Sequence, residues 1–73
     1  MPSIDIQVME GVFDDAEKAR IIKSVTKAFG ETAGGKMLKN TSVRIHEIKS
    51  GSWGYGGEVL TTDVGLRIKS DDS

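Results

Sequence analysis

The spacing of the apolar residues changes twice between residues 3 and 48, and this change restricts the fold more than any other feature. Between residues 3 and 9, apolar and polar side chains alternate, which is the period of a strand with one apolar face. Between residues 14 and 33, the apolar residues recur at steps of three and four, as in an amphipathic helix. Between residues 41 and 48 the alternation returns. Strand, helix and strand in this order predict an α+β fold, built on a small β-α-β unit with parallel strands.

Polar residues and glycines mark the ends of the predicted helix. Asp14 is suited to cap the first turn, and Glu17 stands three residues later, which completes the pattern of a capping box. Gly34 and Gly35 end the helical pattern. Residues 36–40 are predicted to form a polar connection to the second strand.

Residues 50–57 are rich in residues that favour turns. The glycines of Gly54-Tyr55-Gly56-Gly57 lack the spacing of a dinucleotide-binding motif and favour a short hairpin whose turn needs positive φ. Residues 58–60 are predicted to form a short strand after this turn. From residue 61 the pattern weakens, so about 62–73 is predicted to be a weakly ordered tail of the single domain 1–73. The last residues, 70–73, are expected to be frayed.

The composition excludes several classes of protein. The chain carries 10 Lys and Arg against 11 Asp and Glu, and this net charge of −1 argues against binding nucleic acid or an anionic membrane surface. It has no cysteine, which excludes disulfides, thiolate metal ligands and cysteine nucleophiles. Acidic residues among the first twenty argue against a signal peptide, and no apolar run is long enough to cross a bilayer. We therefore expect a cytoplasmic protein.

The length predicts association. A core formed by a chain of this size, 73 residues, supplies only about 3–5 kcal/mol of stability. Without disulfides or an evident metal site, the remaining source of buried apolar area is contact with further copies. We therefore expect an oligomer.

Two motifs resemble ligand sites but have simpler explanations. Residues 30–37 approach the sequence of a phosphate-binding loop, but Met37 stands where that loop needs a hydroxyl for magnesium. His46 is the only histidine, and one imidazole without a second His or a Cys makes a poor metal site. His46 shares a strand face with Arg44 and is predicted to be structural or to form a wall. No metal and no cofactor are expected.

Pro2 is the only proline and directly follows Met1. A small second residue such as proline usually permits removal of the initiator methionine, and the product would begin with a secondary amine. An unperturbed α-amino group titrates at about 7.7–8.0. An apolar pocket or a nearby cation lowers that pKa, so the neutral amine would be available as a general base.

An ordered set of motifs in the chain resembles the 4-oxalocrotonate tautomerase family of the tautomerase superfamily. The set covers roughly residues 2–60 and includes an amphipathic helix. The other members are Pro2-x-Ile4-x-Ile6, Glu10-Gly11, Thr41-Ser42-Val43-Arg44 and Trp53-Gly54-Tyr55-Gly56-Gly57-Glu58.

The resemblance implies both an assembly and a reaction. It implies a β-α-β unit with a short C-terminal hairpin, assembled as a hexamer made of three dimers. It implies an isomerase that moves a proton in enol or dienol forms of 2-oxo acids, with Pro2 as the base. Arg44, from another subunit, would bind the substrate and stabilise its developing negative charge, and Trp53 would form an apolar wall near the proline.

The chain departs from the family pattern at three places. Val12 stands where an arginine commonly follows Glu-Gly and binds a substrate carboxylate, so we expect poor use of dicarboxylate substrates. Lys36, Lys39 and Arg20 of a neighbouring chain are candidates to replace that cation; these are surface positions of the predicted helix and connection.

The other two departures concern the base and its partner. Aligned on His46, Ser42 takes the expected position of the arginine, and Arg44 lies two residues further on, about 6.6 Å along the strand. We therefore include Val12, Ser42 and His46 with Trp53 among the candidate substrate-binding residues. As long as Met1 remains attached, the nitrogen of Pro2 is an amide and has no basicity.

Two alternatives remain open from the sequence. The same fold could carry out hydration, dehalogenation or decarboxylation with Pro2 as acid or nucleophile. The chain could also be a catalytically silent oligomer, or one subunit of a hetero-oligomer whose partner supplies the missing cation.

Overall fold

The computed structural model describes residues 1–71 and confirms the β-α-β unit. In chain order the elements are β1 (Ser3–Met9), α1 (Asp15–Ala33), α2 (Gly35–Lys39), β2 (Ser42–Ile48), β3 (Trp53–Tyr55), β4 (Glu58–Leu60) and α3 (Thr62–Asp71). Strands β1 and β2 form a parallel two-stranded sheet, while β3 and β4 form an antiparallel hairpin. The predicted parallel strands and C-terminal hairpin are therefore both confirmed.

The two faces of the β1–β2 sheet differ in what covers them. Helix α1 packs against β2, and Lys18 of α1 lies 3.1 Å from Glu47 of β2. Glu47 is opposite Val8 in the register, so α1 covers the face that carries the aliphatic side chains of β1. The other face carries exposed polar residues, among them Asp5 and Arg44, which are opposite each other.

The predicted capping box at the start of α1 is confirmed. The Asp14 carboxylate accepts the N–H of Glu17 at 2.8 Å, and Glu17 Oε1 accepts the N–H of Asp14 at 2.9 Å. Each side chain thereby satisfies a backbone donor that the first turn leaves unpaired.

Residues 36–40 are not the polar connection that the sequence predicted, because α2 occupies Gly35–Lys39. Gly34 ends α1 with φ of 103°, and the chain re-enters helical conformation directly after it. Asn40 Nδ2 then donates to the carbonyl of Lys36 at 2.8 Å, and Thr41 Oγ1 donates to that of Met37 at 2.7 Å. These two side chains satisfy carbonyl groups of α2. The helix has only five residues, which is too short for a helical period of apolar residues to be visible in the sequence.

The glycine-rich turn has the predicted conformation. Gly56 and Gly57 join β3 to β4 with φ of 54° and 86°, a region that side chains with a Cβ rarely adopt. The hairpin pairs Trp53 with Leu60, which fixes the indole at the base of the hairpin.

The weakly ordered tail predicted for residues 62–73 is wrong for most of its length, since α3 spans Thr62–Asp71. Thr62 Oγ1 donates to the carbonyl of Glu10 at 2.7 Å, and Lys69 Nζ donates to that of Val12 at 2.9 Å. The helix is thus held by residues more than fifty positions away. The fraying expected for residues 72 and 73 lies outside the described residues.

Few side chains are withdrawn from solvent in the single chain. Among the described hydrophobic residues, only Met9 and Val12 are buried, with 8% and 7% of their surface exposed. A core this thin agrees with the argument that the chain needs further copies, but association remains a prediction. None of the helices within residues 1–71 is long and apolar enough to span a bilayer.

Candidate functional site

Pro2 is fixed at the end of the sheet where both parallel strands begin. It directly precedes β1 and is half-buried, and its carbonyl accepts the N–H of Ser42 at 3.0 Å. Met1 exposes 90% of its surface. Removal of Met1 would therefore expose the Pro2 nitrogen at a position that the backbone of β2 already holds.

Three candidate residues share the open face of the sheet. Ser42, Arg44 and His46 alternate along β2 on the face opposite α1. Asp5 Oδ1 lies 3.3 Å from His46 Nε2 and 4.0 Å from Arg44 Nη1. The Arg44 and Asp5 side chains are 61% and 55% exposed, so water weakens their attraction and the guanidinium stays accessible. Within residues 1–71, no group of three or more His, Asp or Glu side chains is placed to hold a metal ion.

Val12 and Trp53 come together in an open, mainly apolar groove of about 1040 Å³. The end of β1, the loop after it, the hairpin and α3 form its walls. Besides Val12 and Trp53, the groove is lined by Phe13, Val64, Ile68 and Lys69, among others. An apolar concave surface with few polar groups is typical of a site for a small organic molecule.

The structure does not bring Pro2 into this groove within one chain. The groove reaches the Met9 end of β1, whereas Pro2 precedes the other end. Gln7, the groove residue of β1 nearest to Pro2 in the sequence, lies five residues further along the strand, which is about 16 Å at about 3.3 Å per residue. Pro2 and Trp53 therefore do not line a common pocket in the single chain.

Lys69, which no motif in the sequence indicates, lies beside Val12. Its ammonium donates to the Val12 carbonyl at 2.9 Å, lies 2.7 Å from Glu17 Oε2, and sits 5.2 Å from the centre of the Phe13 ring. The hydrogen bond from Lys69, followed by that from the Asp14 backbone, lowers the pKa of the Glu17 carboxyl below its usual value of 4.5. No local pattern points to Lys69, since its position depends on the docking of α3.

Comparisons with known proteins identify the family of this chain. The model of a family described as tautomerase enzyme matches residues 2–63. The chain is 33% identical over 61 residues to a probable tautomerase from Dickeya dadantii, which covers 84% of this chain and 90% of that protein.

Two solved structures share the fold. One is YwhB, a homologue of 4-oxalocrotonate tautomerase, with a TM-score of 0.72, 27% identity, and coverage of 81% of this chain and 93% of that one. The other comes from a study of the 4-oxalocrotonate tautomerase isozymes of Methylibium petroleiphilum, with a TM-score of 0.70 and 31% identity. That match covers 85% of this chain and 94% of the other.

Proposed function

Because this chain belongs to the tautomerase family, we propose that it is a cytoplasmic isomerase that moves a proton in enol or dienol forms of 2-oxo acids. Pro2 is the general base once Met1 has been removed. The observation that carries this proposal is the position of Pro2, half-buried at the shared start of two parallel strands and hydrogen-bonded to Ser42. Flanking strands hold such a nitrogen in place, which a frayed terminus would not.

The reaction needs a neutral amine and a positive partner. In its neutral form, the Pro2 amine has a lone pair that can take a proton from the substrate. Loss of that proton leaves negative charge on the substrate oxygen. Arg44 of an adjacent protomer is suited to stabilise it, because its side chain is exposed on the open face of the sheet.

Trp53 and the groove supply the apolar part of the site. A wall of indole and aliphatic side chains excludes water, which strengthens the interaction between the guanidinium and the developing charge. Val12 presents hydrocarbon to this groove where a cation would favour a second carboxylate. We therefore propose that the preferred substrates carry a single carboxylate.

The arrangement supports a homo-oligomer, for which we propose a hexamer made of three dimers. Strands β1 and β2 form a sheet of only two strands among the described residues, so each has an unpaired edge. Such an edge is a template for pairing with a further strand. The absence of Pro2 from the lining of the groove adds a functional reason, because a site that uses both Pro2 and Trp53 would then be completed by a second chain.

The test combines mass spectrometry of the purified protein with an ultraviolet assay of enol ketonisation. We expect the mature chain to begin at Pro2 and to convert the enol of phenylpyruvate. Pro2→Ala should lower kcat/KM by about 10²-fold or more, because the secondary amine and its fixed geometry are lost. Ser3→Ala, one residue further on, is the control and should retain activity. Equal activity of Pro2→Ala and the wild type would refute the role of Pro2.

One observation favours a second candidate function. Val12 supplies no cation, and Lys69 beside it is paired with Glu17. The second candidate is therefore a catalytically silent oligomer, or one subunit of a hetero-oligomer whose partner supplies the positive charge. Under this alternative, the correctly processed protein would form its native oligomer but convert no enol by itself.

A further inference from the structure

Helix α3 lies almost wholly beyond the part of the chain that matches the family. The family match ends at residue 63, whereas α3 continues to Asp71. Its backbone approaches Val12 so closely at Gly65 that a Cβ there would lie 2.6 Å from Val12 Cγ2. The helix thus forms a wall of the groove at the position where the family resemblance implies a cation.

The cation that α3 brings to this position is fully paired. An ammonium has three protons to donate. Lys69 Nζ has three oxygen atoms within hydrogen-bonding distance: the Val12 carbonyl at 2.9 Å and the two carboxylate oxygens of Glu17 at 2.8 and 2.7 Å. Glu17 Oε1 also accepts the N–H of Asp14 at the start of α1, so the capping box of α1 holds the carboxylate that pairs with Lys69 of α3.

The charges around the groove do not favour an anion. Lys69 and Glu17 cancel each other, and Asp71 of α3 also lines the groove and adds a negative charge. Phe13, Val64 and Ile68 add hydrocarbon to the groove, and its other polar side chains, Gln7, Tyr55 and Thr61, are neutral. A carboxylate placed there would lose hydration without meeting a positive charge that is not already paired.

We propose that α3 is a specificity element of this site, in which the neutral Lys69–Glu17 pair makes the groove select an apolar substrate end over a second carboxylate. The proposal rests on the proposed function only in taking the groove as the place of the substrate. In this proposal Glu17 determines the selectivity, because it pairs with Lys69 and so leaves no unpaired ammonium for a substrate carboxylate.

The test is to free Lys69 without removing it. Glu17→Gln keeps an oxygen that can accept the N–H of Asp14, so the capping box can persist while the negative charge is lost. Glu47→Gln is the matched control, because Glu47 forms the equivalent pair with Lys18 at 3.1 Å and its loss changes the net charge by the same amount. Adipate and hexanoate are the probes, since both have six carbons and differ by one carboxylate.

Binding is followed by the fluorescence of Trp53, which lines the groove and is the only tryptophan. We expect the wild type and Glu47→Gln to prefer hexanoate. Glu17→Gln should shift the ratio of the two affinities toward adipate by about tenfold, since an uncompensated ammonium then faces the second carboxylate. The double variant Glu17→Gln/Lys69→Met should lose this shift, because neither charge remains.

Three results would overturn the proposal: no shift in Glu17→Gln beyond that in Glu47→Gln, a shift that persists in the double variant, or no binding of either probe to the wild type. Circular dichroism and native mass confirm that each variant compared is folded and assembled. The binding ratio does not require catalysis. A wild type that selects hexanoate but converts no enol would refute the proposed reaction while supporting the role of the pair.

Discussion

The close approach of α3 to Val12 predicts that Gly65→Ala destabilises the protein, against the ordinary preference of helices. In an exposed helix this change stabilises by about 0.8–1.0 kcal/mol, because alanine loses less backbone entropy than glycine. Here the new methyl group would lie 2.6 Å from Val12 Cγ2, roughly 1 Å closer than two carbon atoms prefer. Val12 is β-branched and only 7% exposed, so its side chain cannot easily rotate away from the new methyl group.

The magnitude follows from these two opposing effects. Overpacking of this kind costs about 1–3 kcal/mol. Subtracting the gain in helix propensity leaves a net destabilisation of up to about 2 kcal/mol. In a Val12→Ala background the clashing γ-carbon is absent, so the same substitution should stabilise by about 1 kcal/mol. The two changes are therefore coupled by about 1–3 kcal/mol.

Urea denaturation followed by Trp53 fluorescence measures this coupling in a double-mutant cycle. All four proteins are compared at one protein concentration, because the apparent stability of an oligomer depends on it. The reasoning is refuted if Gly65→Ala raises the free energy of unfolding by the same amount with Val12 and with Ala at position 12. That result would mean that α3 does not pack against Val12.

Three further predictions follow from the caps and charges. The hydrogen bond from Lys69 lowers the pKa of Glu17 in the folded state, so the ionised Glu17 carboxylate stabilises the fold fully above its unfolded pKa of 4.5, and this stabilisation is lost as the pH falls through the lower folded pKa. Glu17→Gln should therefore make the free energy of unfolding depend less on pH in the acid range. Asp14→Ala should lower the free energy of unfolding by about 1 kcal/mol, whereas Asp15→Ala, at an exposed position, should change it by less than about 0.5 kcal/mol in urea denaturation. Arg44→Gln should lower kcat/KM for an enol by about 10²-fold with the oligomer intact, and an unchanged rate would exclude Arg44 from the site.

The sequence predicts the elements that depend on local patterns. The alternation in β1, the capping box of Asp14 and Glu17, and the glycine turn at Gly56 and Gly57 each determine structure within a few residues. Each of these predictions is confirmed, because neighbouring side chains and backbone groups suffice to make the element.

Helix α3 depends instead on distant contacts. Val64, Leu66 and Ile68 alternate at a period of two, which conceals the helical period. The contacts that hold the helix join Thr62 to Glu10 and Lys69 to Val12, which are 52 and 57 residues apart. Tertiary contacts of this range leave no local signal in the sequence, so the tail prediction was wrong.

Part of the candidate site could likewise be predicted from local motifs, and part depends on distant contacts. The motifs named Val12 and Trp53, and the fold brings them together in one groove. They could not name Lys69, because its place beside Val12 exists only after α3 has docked. The roles of Pro2, Arg44, Ser42 and His46 stay predictions, because no contact within the single chain tests them.

The distance between the two ends of β1 has a genetic consequence. In the proposed shared site, a subunit damaged at Pro2 would still offer an intact groove to its neighbour, and a subunit damaged in the groove would still offer an intact proline. Co-expression of two such defective chains should therefore restore some activity, although neither chain works alone. Complementation between alleles would then be a property of this protein that the length of a single strand explains.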